Sequence, residues 1–542
     1  MSRRIKIIST KYWRLAIPLL YGVSVVLWSI GFPWFIRTVF ILYGAFIYWT
    51  LSSARCSWSP KPLRPPSTST KRNNHWITFA IIFVSFLLLS LTRLIPFVRF
   101  GEAPLGYDTG FYVGSIKSLV SPGTPASSAL YRALTPLFAA GLSPSFLYHF
   151  FHVLTQVLLA GGLFFLLSSL ATPLRYRLAT VAVLLYTLSV VQFLGYWWAF
   201  TQQMLGMGFF LVTLGLFVRR SYGALFFALI TFLVHTPTGA VLFLALALSY
   251  LAYGTQLLTQ RRFVYPFATK ILVAGVLLLP LALLVKQIDV RNIFTDILGA
   301  HGILLRNVPQ ERISEFRGLF VVPGAFRLLV LGYVPFSLFT VLHPATWIRR
   351  SITKLFFFQN LALLYAALIV LLLVTFSPVI YQSRFSVILD FLLLVFATPT
   401  MLLFAEHFSR DRTGKLLVGL LLTFFLLSMG LNIHQQRPMV FSEELEEIKT
   451  YTSFVEPTAG VLATDSLYAP WLWGFFRWST LSPGYLGDSW DYATWTKFWS
   501  SASDKERLQL LGSRDHPPPP MYIHIGERQQ QGLPFQRFVR TS

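Results

Sequence analysis

Cysteine is almost absent. Cys56 is the only one in 542 residues, which excludes an intrachain disulfide and any cluster of thiolate metal ligands. Charge is scarce as well: Asp, Glu, Lys and Arg make up 12% of the chain, about half the share found in a soluble globular domain. Acidic residues are the rarer sign, 21 against 45 Lys and Arg. There is no Gly-rich phosphate loop with Lys-Ser/Thr, no His-Glu-x-x-His and no nucleotide-binding signature, so nothing supports an ATP-driven pump. A cleavable signal peptide is not expected either. The basic N-terminus enters an apolar run that leads directly into a second one, with no small-residue cleavage site between them.

What is abundant is apolar sequence. Hydrophobic residues make up 55% of the chain, aromatics 16%, and the mean hydropathy is +0.60. The apolar residues fall in repeated runs of about 17–22, enough for a helix to cross roughly 30 Å of hydrocarbon. Backbone groups in lipid must pair within their own segment, so such runs are expected to be helices. Many Trp and Tyr residues stand near the ends of runs, where amphipathic rings favour the interface. The net charge of +24 would suit nucleic acid if it formed one patch. The Lys and Arg residues instead sit in short clusters between apolar runs, as in a chain that sets its orientation in a membrane, and no nucleic-acid partner is expected.

About thirteen spans are expected. The first two, near 15–31 and 33–51, are separated only by Gly31-Phe32-Pro33 and form two spans or one re-entrant hairpin. A basic Pro/Ser/Thr-rich linker, 52–76, follows, with Arg55, Lys61, Arg64, Lys71 and Arg72 and no acidic residue; it reads as flexible and cytoplasmic. Further spans are expected near 77–97, 147–170, 178–194, 203–218, 221–234, 238–256, 266–286, 325–343, 357–376, 385–405 and 415–432. With the N-terminus cytoplasmic, Arg175/Arg177, Arg219/Arg220, Arg261/Arg262, Arg349/Arg350/Lys354 and Arg410/Arg412/Lys415 all fall on the cytoplasmic side. The acids gather on the other side, in 99–145, 288–323 and 433–542. The C-terminal tail 433–542 is then non-cytoplasmic. It is mixed in character, with the acidic run Glu443–Glu447, strand-like segments Gly460–Thr464 and Met521–Ile525, and an aromatic-rich stretch from Tyr468 to Trp499. These features suit a small α/β domain. The expected fold class is a polytopic α-helical membrane protein with a C-terminal non-cytoplasmic α/β domain.

The candidate chemistry lies in the outer loops. Loop 99–146 carries Glu102 and then Gly106-Tyr107-Asp108-Thr109-Gly110, and it contains amphipathic stretches at Phe111–Val120 and Ala129–Ala140. Asp108 is placed to take a proton from an acceptor hydroxyl; alternatively it caps the helix that follows. Gln202 and Gln203 follow Tyr196-Trp197-Trp198-Ala199-Phe200-Thr201, where amides beside aromatic faces suit sugar binding and the rings alone suit an interface belt. His235 joins two short spans at His235-Thr236-Pro237-Thr238-Gly239; it is a ligand group in a cavity below the surface or a turn residue with its imidazole satisfied. Arg384, in Tyr381-Gln382-Ser383-Arg384-Phe385, breaks the inside-positive pattern. Its planar fork suits a phosphate, while snorkelling or pairing with Asp390 are the alternatives. Loop 288–323 is rich in charge and reads as a solvated surface or a mobile lid. Ionisable residues within the spans are few, Asp390 being the clearest, which weakens a proton-coupled transporter.

This pattern resembles the GT-C class of membrane glycosyltransferases, which use polyprenyl-phosphate-linked sugars. If 77–97 is the first core span, Gly106-Tyr107-Asp108-Thr109-Gly110-Phe111-Tyr112 occupies the loop that carries the acidic catalytic residue in that class. Counting from 77, loop 288–323 stands where the class has a second long outer loop, between core spans seven and eight. The tail 433–542 stands where members carry a non-cytoplasmic domain. The resemblance covers 77–542, the hairpin 1–51 being an addition, and it is mainly architectural. The first loop has neither an Asp-Glu pair nor an Asp-x-Asp, which leaves the need for a divalent metal open. Ser489-Trp490-Asp491-Tyr492 is only faintly similar to the sequon-reading motif of oligosaccharyltransferases and carries no inference of protein N-glycosylation.

The resemblance implies an inverting transferase in the plasma membrane. A polyprenyl-phosphate-linked sugar would enter from the bilayer, and the acceptor would be a cell-envelope glycan, lipid or protein. Asp108 would be the base, Arg384 and His235 would hold the phosphate, and Gln202, Gln203, Tyr107, Glu102 and Tyr381 would bind substrate. Two other readings compete: a flippase or transporter of a lipid-linked substrate, and a non-catalytic scaffold for envelope assembly.

Overall fold

A computed structural model describes residues 68–101, 106, 109–118, 140–170, 174–260, 333–342, 364, 366–371, 382–408 and 412–435, with shorter pieces between 438 and 540. The helices are α1 (Thr68–Phe100), α2 (Thr109–Ser118), α3 (Pro144–Ser168), α4 (Arg175–Leu188), α5 (Val190–Trp197), α6 (Thr201–Val218), α7 (Gly223–Val234) and α8 (Thr236–Gln260). They continue with α9 (Val334–Leu342), α10 (Gln382–Phe408), α11 (Arg412–Gln435) and α12 (Ala469–Phe476). Among the described residues five helices are long and apolar enough to cross a membrane, or six if the bent pair α4–α5 is one span.

The helix faces show which solvent they meet. On α1 the exposed side is Phe79, Phe83, Leu87, Leu91, Leu94 and Val98, while Ser85, Leu89, Thr92 and Arg93 are buried. On α3 the exposed side is Phe146, Phe150, Leu154 and Leu158, while Tyr148, His152, Thr155 and Gln156 are buried. Both stripes recur every three or four residues, the helical period, but with the polar side inward. A water-soluble helix has the opposite arrangement. Exposed apolar stripes on helices of spanning length make this a helical membrane protein.

Without a hydrophobic force between helices in lipid, close backbone approach holds them together. α3 packs on α6, where a Cβ added at Gly162 would lie 2.9 Å from the Gly208 carbonyl oxygen. α6 packs on α7, α4 on α1 and α3, and α10 on α9 and α4. Arg99, near the end of α1, donates from Nη1 to the carbonyls of Ile433 (2.9 Å) and His434 (3.3 Å). It thereby places a cation on the negative end of α11.

Three features differ from the sequence expectation. Residues 68–76, expected as linker, are the first turns of α1, because no Gly or Pro interrupts the chain between Pro66 and Pro96. The span expected at 178–194 is broken at Ser189 into α4 and α5, bent by 55°. Besides Asp390, the ionisable side chains of Arg93 in α1 and His152 in α3 are fully buried in spanning helices. The expected spans 15–31, 33–51 and 266–286, the stretch 129–139 and the loop 288–323 lie outside the described residues.

In the tail, β1 (Val461–Ala463), β2 (Ser479–Leu481), β3 (Met521–His524) and β4 (Phe538–Arg540) form one sheet in the order β2-β1-β3-β4. β1 runs parallel to β2 and β3, and β4 runs antiparallel to β3. α12 links β1 to β2 in sequence and packs on α2. The backbones meet there directly: the side of Gly474 that would carry a Cβ abuts the Gly110 carbonyl, and a Cβ on Gly114 would lie 2.5 Å from the Trp473 ring.

Candidate functional site

The turn between α5 and α6 is tightly wound. Ala199 is in the left-handed region, φ 62°, which costs a non-glycine residue free energy and is held only where the surroundings demand it. Phe200 (φ −74°, ψ 50°) closes an inverse γ-turn, with Thr201 N–H donating to the Ala199 carbonyl at 2.7 Å. Gly106, from loop 99–146, docks on this turn and donates its N–H to the Trp197 carbonyl at 2.7 Å. A Cβ at Gly106 would lie 2.5 Å from Trp198 Cα, so only glycine fits. Two of the loops singled out by sequence are therefore joined at Gly106, two residues before Asp108.

Beneath the turn lies a ladder of rings. Tyr112 of α2 stacks on Tyr148 of α3 (centroids 5.4 Å, interplanar angle 15°), Tyr148 on His152 (5.6 Å, 14°), and His152 on Tyr196 of α5 (4.4 Å, 9°). Tyr148 and His152 are four residues apart, one above the other on the same helix face. Hydrogen bonds fix the ring orientations. His152 Nε2 lies 2.9 Å from the Tyr196 carbonyl, which can only accept, so Nε2 carries the proton and Nδ1 accepts from Thr201 Oγ1 at 2.8 Å. Thr201 Oγ1 in turn accepts from the Tyr148 hydroxyl at 2.9 Å.

The ladder ends at Arg93, whose exposure is 0%. Its guanidinium lies over Phe193 (5.1 Å) and Tyr196 (5.4 Å), and the Tyr196 hydroxyl donates to the Arg93 carbonyl at 2.6 Å. Ring faces offset part of the cost of removing a cation from water. Gln156 Oε1 accepts from Tyr186 (2.7 Å) and, at a long 3.4 Å, from Arg93 Nε. Arg93 Nη2 has no hydrogen-bond partner among the described residues. Sequence reasoning missed Arg93, His152 and Gln156. A cation inside an apolar run and the spacing Tyr148, His152, Gln156 were the available signals.

His235 and Gln203 sit at the same end of α6. A Cβ on Gly206 would lie 2.8 Å from His235 Cβ, and Gln203 is one turn before Gly206. His235 Nδ1 accepts from the Thr238 backbone N–H (3.3 Å) and lies 2.7 Å from Thr238 Oγ1. The imidazole thus caps the start of α8, which leaves the ring proton on Nε2. Gln203 is buried and Gln202 half-buried. Asp108, Tyr107, Glu102 and Tyr381, together with the side chain of Arg384, lie outside the described residues. α2 begins at Thr109, immediately after Asp108. Among the described residues no three His, Cys, Asp or Glu side chains gather as metal ligands.

A second buried cluster forms at the α4–α5 break. Asp390 Oδ2 accepts from Ser189 Oγ (2.9 Å) and Gln192 Nε2 (2.7 Å), and Gln192 Nε2 also reaches the Val387 carbonyl at 2.8 Å. The Tyr333 hydroxyl lies 3.5 Å from Ser189 Oγ. No family model and no curated protein matches this chain, so no relative supplies roles for any of these residues.

Proposed function

We propose that this protein is a membrane-embedded inverting glycosyltransferase of GT-C type, moving a sugar from a polyprenyl-phosphate donor to an acceptor of the cell envelope. One observation carries the reading: Gly106, two residues from Asp108, is pinned to the aromatic turn 197–200, at the end of the bundle where Gln203 and His235 lie. A reacting carboxylate needs such anchoring, since small misplacements are costly to rate.

The reaction follows from the residue chemistry. Asp108 takes the proton of the acceptor hydroxyl as its oxygen attacks the anomeric carbon from the face opposite the phosphate. The bond from that carbon to the phosphate oxygen breaks, and the phosphate keeps the electron pair. Arg384 and the Nε2–H of His235 stabilise the charge that develops on it. Gln202, Gln203, Tyr107, Glu102 and Tyr381 line the sugar and acceptor sites, and a divalent metal belongs to the scheme only if the first loop supplies further ligands. The accompanying topology has about thirteen spans, a cytoplasmic N-terminus and linker, and the tail 433–542 as a non-cytoplasmic α/β domain of a plasma-membrane protein. The packing of α12 on α2 supports that sidedness, because it brings the tail to the first outer loop.

The test uses the purified full chain in lipid nanodiscs, offered a panel of polyprenyl-phosphate hexoses with an envelope lipid extract as acceptor. Release of polyprenyl phosphate is expected for at least one donor, and Asp108→Asn should lower the rate by about 10²-fold or more. An unimpaired Asp108→Asn variant would remove the base assignment. A second reading draws on the broken α4–α5 span and buried Asp390, features shared with carriers. In that reading the lipid-linked sugar crosses the bilayer in reconstituted vesicles with its glycosyl bond intact.

A further inference from the structure

Among the described residues, the cluster at the α4–α5 break has more hydrogen-bond acceptors than donors. Ser189 Oγ accepts the Gln192 backbone N–H at 3.2 Å, the group that an unbroken helix would give to the Leu188 carbonyl. Having accepted there, Ser189 gives its own proton to Asp390 Oδ2. Gln192 gives its amide protons to the same carboxylate oxygen and to the Val387 carbonyl. Two oxygens remain, Asp390 Oδ1 and Gln192 Oε1, both buried and without a hydrogen-bond partner among the described residues. Asp390 and Gln192 have an exposure of 0%. Each remaining oxygen is the twin of an atom in the Gln192–Asp390 hydrogen bond, so both flank that one contact.

Two buried oxygens beside a carboxylate, with no donor turned to them among the described residues, carry a desolvation cost that a bound cation would offset. We propose that the α4–α5 break is a binding site for one monovalent cation of the sodium class, held by Asp390 Oδ1 and Gln192 Oε1. The charge count selects the valence. Among the described residues the site holds one carboxylate with a neutral amide and hydroxyls, which a single positive charge balances, whereas a divalent ion would leave an excess in a low-dielectric interior. Hard oxygen donors suit an alkali cation, and sodium sites recur where membrane helices are interrupted. Among the described residues, other polar and titratable groups near the carboxylate are the Tyr333 hydroxyl and Tyr186, whose ring lies 5.1 Å from that of Phe391. Among the described residues Arg93 reaches this region through Gln156 and Tyr186, and through its cover on Phe193 and Tyr196 of α5. Bound cation would lock the bend between α4 and α5, since Ser189 and Gln192 come from the break and Asp390 from α10. The inference stands apart from the transferase reading, because none of these residues has a role in the transfer.

The experiment measures thermal unfolding of the full chain in detergent as sodium chloride replaces choline chloride at fixed ionic strength and pH. A ligand bound only by the folded state raises stability logarithmically above its dissociation constant. The wild-type midpoint is therefore expected to rise with sodium, Asp390→Asn to be insensitive, and the half-effect in Gln192→Met to move to at least about tenfold higher sodium. If Asp390→Asn does not fold, the Gln192→Met shift decides, supported by binding of one radioactive sodium per wild-type chain. A wild-type midpoint indifferent to sodium would overturn the site. So would an equal response in wild type and Gln192→Met, or a midpoint that moves with pH alone, which would mean that a proton is the sole occupant.

Discussion

Arg93 is a fully buried cation. Removing a guanidinium from water is worth several kcal/mol even after relaxation, and the recovery comes from two ring faces at about 0.5–2 kcal/mol each together with Gln156. Those contacts depend on a flat, delocalised cation. Arg93→Lys would keep the charge but concentrate it in a strongly hydrated ammonium that cannot cover Phe193 and Tyr196 together. Arg93→Met would remove the charge and keep much of the volume. The expected order of unfolding midpoints is therefore Arg93→Met above Arg93→Lys, by an amount equivalent to about 1–3 kcal/mol, and the reverse order would mean the charge is needed for the fold. A milder case is Tyr196→Phe, which removes only the hydroxyl bond to the Arg93 carbonyl. About 0.5–1.5 kcal/mol of stability should be lost in the same unfolding assay. Arg93 is visible in the sequence as a cation inside an apolar run. Its partner rings are not, because Phe193 and Tyr196 lie a hundred positions further on and no periodicity within either segment predicts their meeting.

At the scale of elements, two neighbouring glycines of α3 separate composition from contact. A Cβ at Gly161 meets nothing within 4 Å, whereas one at Gly162 meets the Gly208 carbonyl of α6. Gly161→Ala should therefore be neutral or slightly stabilising through helix propensity. Gly162→Ala should cost about 1–3 kcal/mol, because α3 and α6 must move apart. Comparing the two unfolding midpoints tests the helix pairing with a matched control. The helices themselves were legible, since long apolar runs in lipid leave the backbone little alternative. The break at Ser189 was not. Tyr186-Thr187-Leu188-Ser189-Val190-Val191 contains no Gly or Pro and reads as continuous span. What holds the bend is Asp390, two hundred residues away, whose carboxylate binds Ser189 and Gln192. A tertiary contact of that range leaves no local trace. Gly106, by contrast, was legible as a place of close approach, though not as the point that joins the first loop to the aromatic turn.

For the whole molecule, the inward polar faces of α1 and α3 follow from lipid as the solvent, and they explain why the charged minority of the sequence carries so much information. Few charges are tolerated, and among the described residues the two fully buried ones within the spans, Arg93 and Asp390, sit in hydrogen-bond networks with polar side chains. The same architecture lets the tail reach loop 99–146, through the contact of Gly474 with Gly110. Gly474→Ala should loosen α12 from α2, read as faster proteolysis of the tail in the folded protein, while the spanning helices keep their unfolding midpoint. The central claim is that Asp108, His235 and Arg384 serve one site. The near absence of cysteine makes a direct measurement simple: in a Cys56→Ser background, cysteines are placed pairwise at 108, 235 and 384. The pairs are then challenged in membranes with a bifunctional thiol reagent spanning about 12 Å, the span of an ordinary ligand site. All three pairs should be bridged within single chains. Pairs that stay unbridged while each single cysteine is labelled would place the three residues apart and contradict that claim.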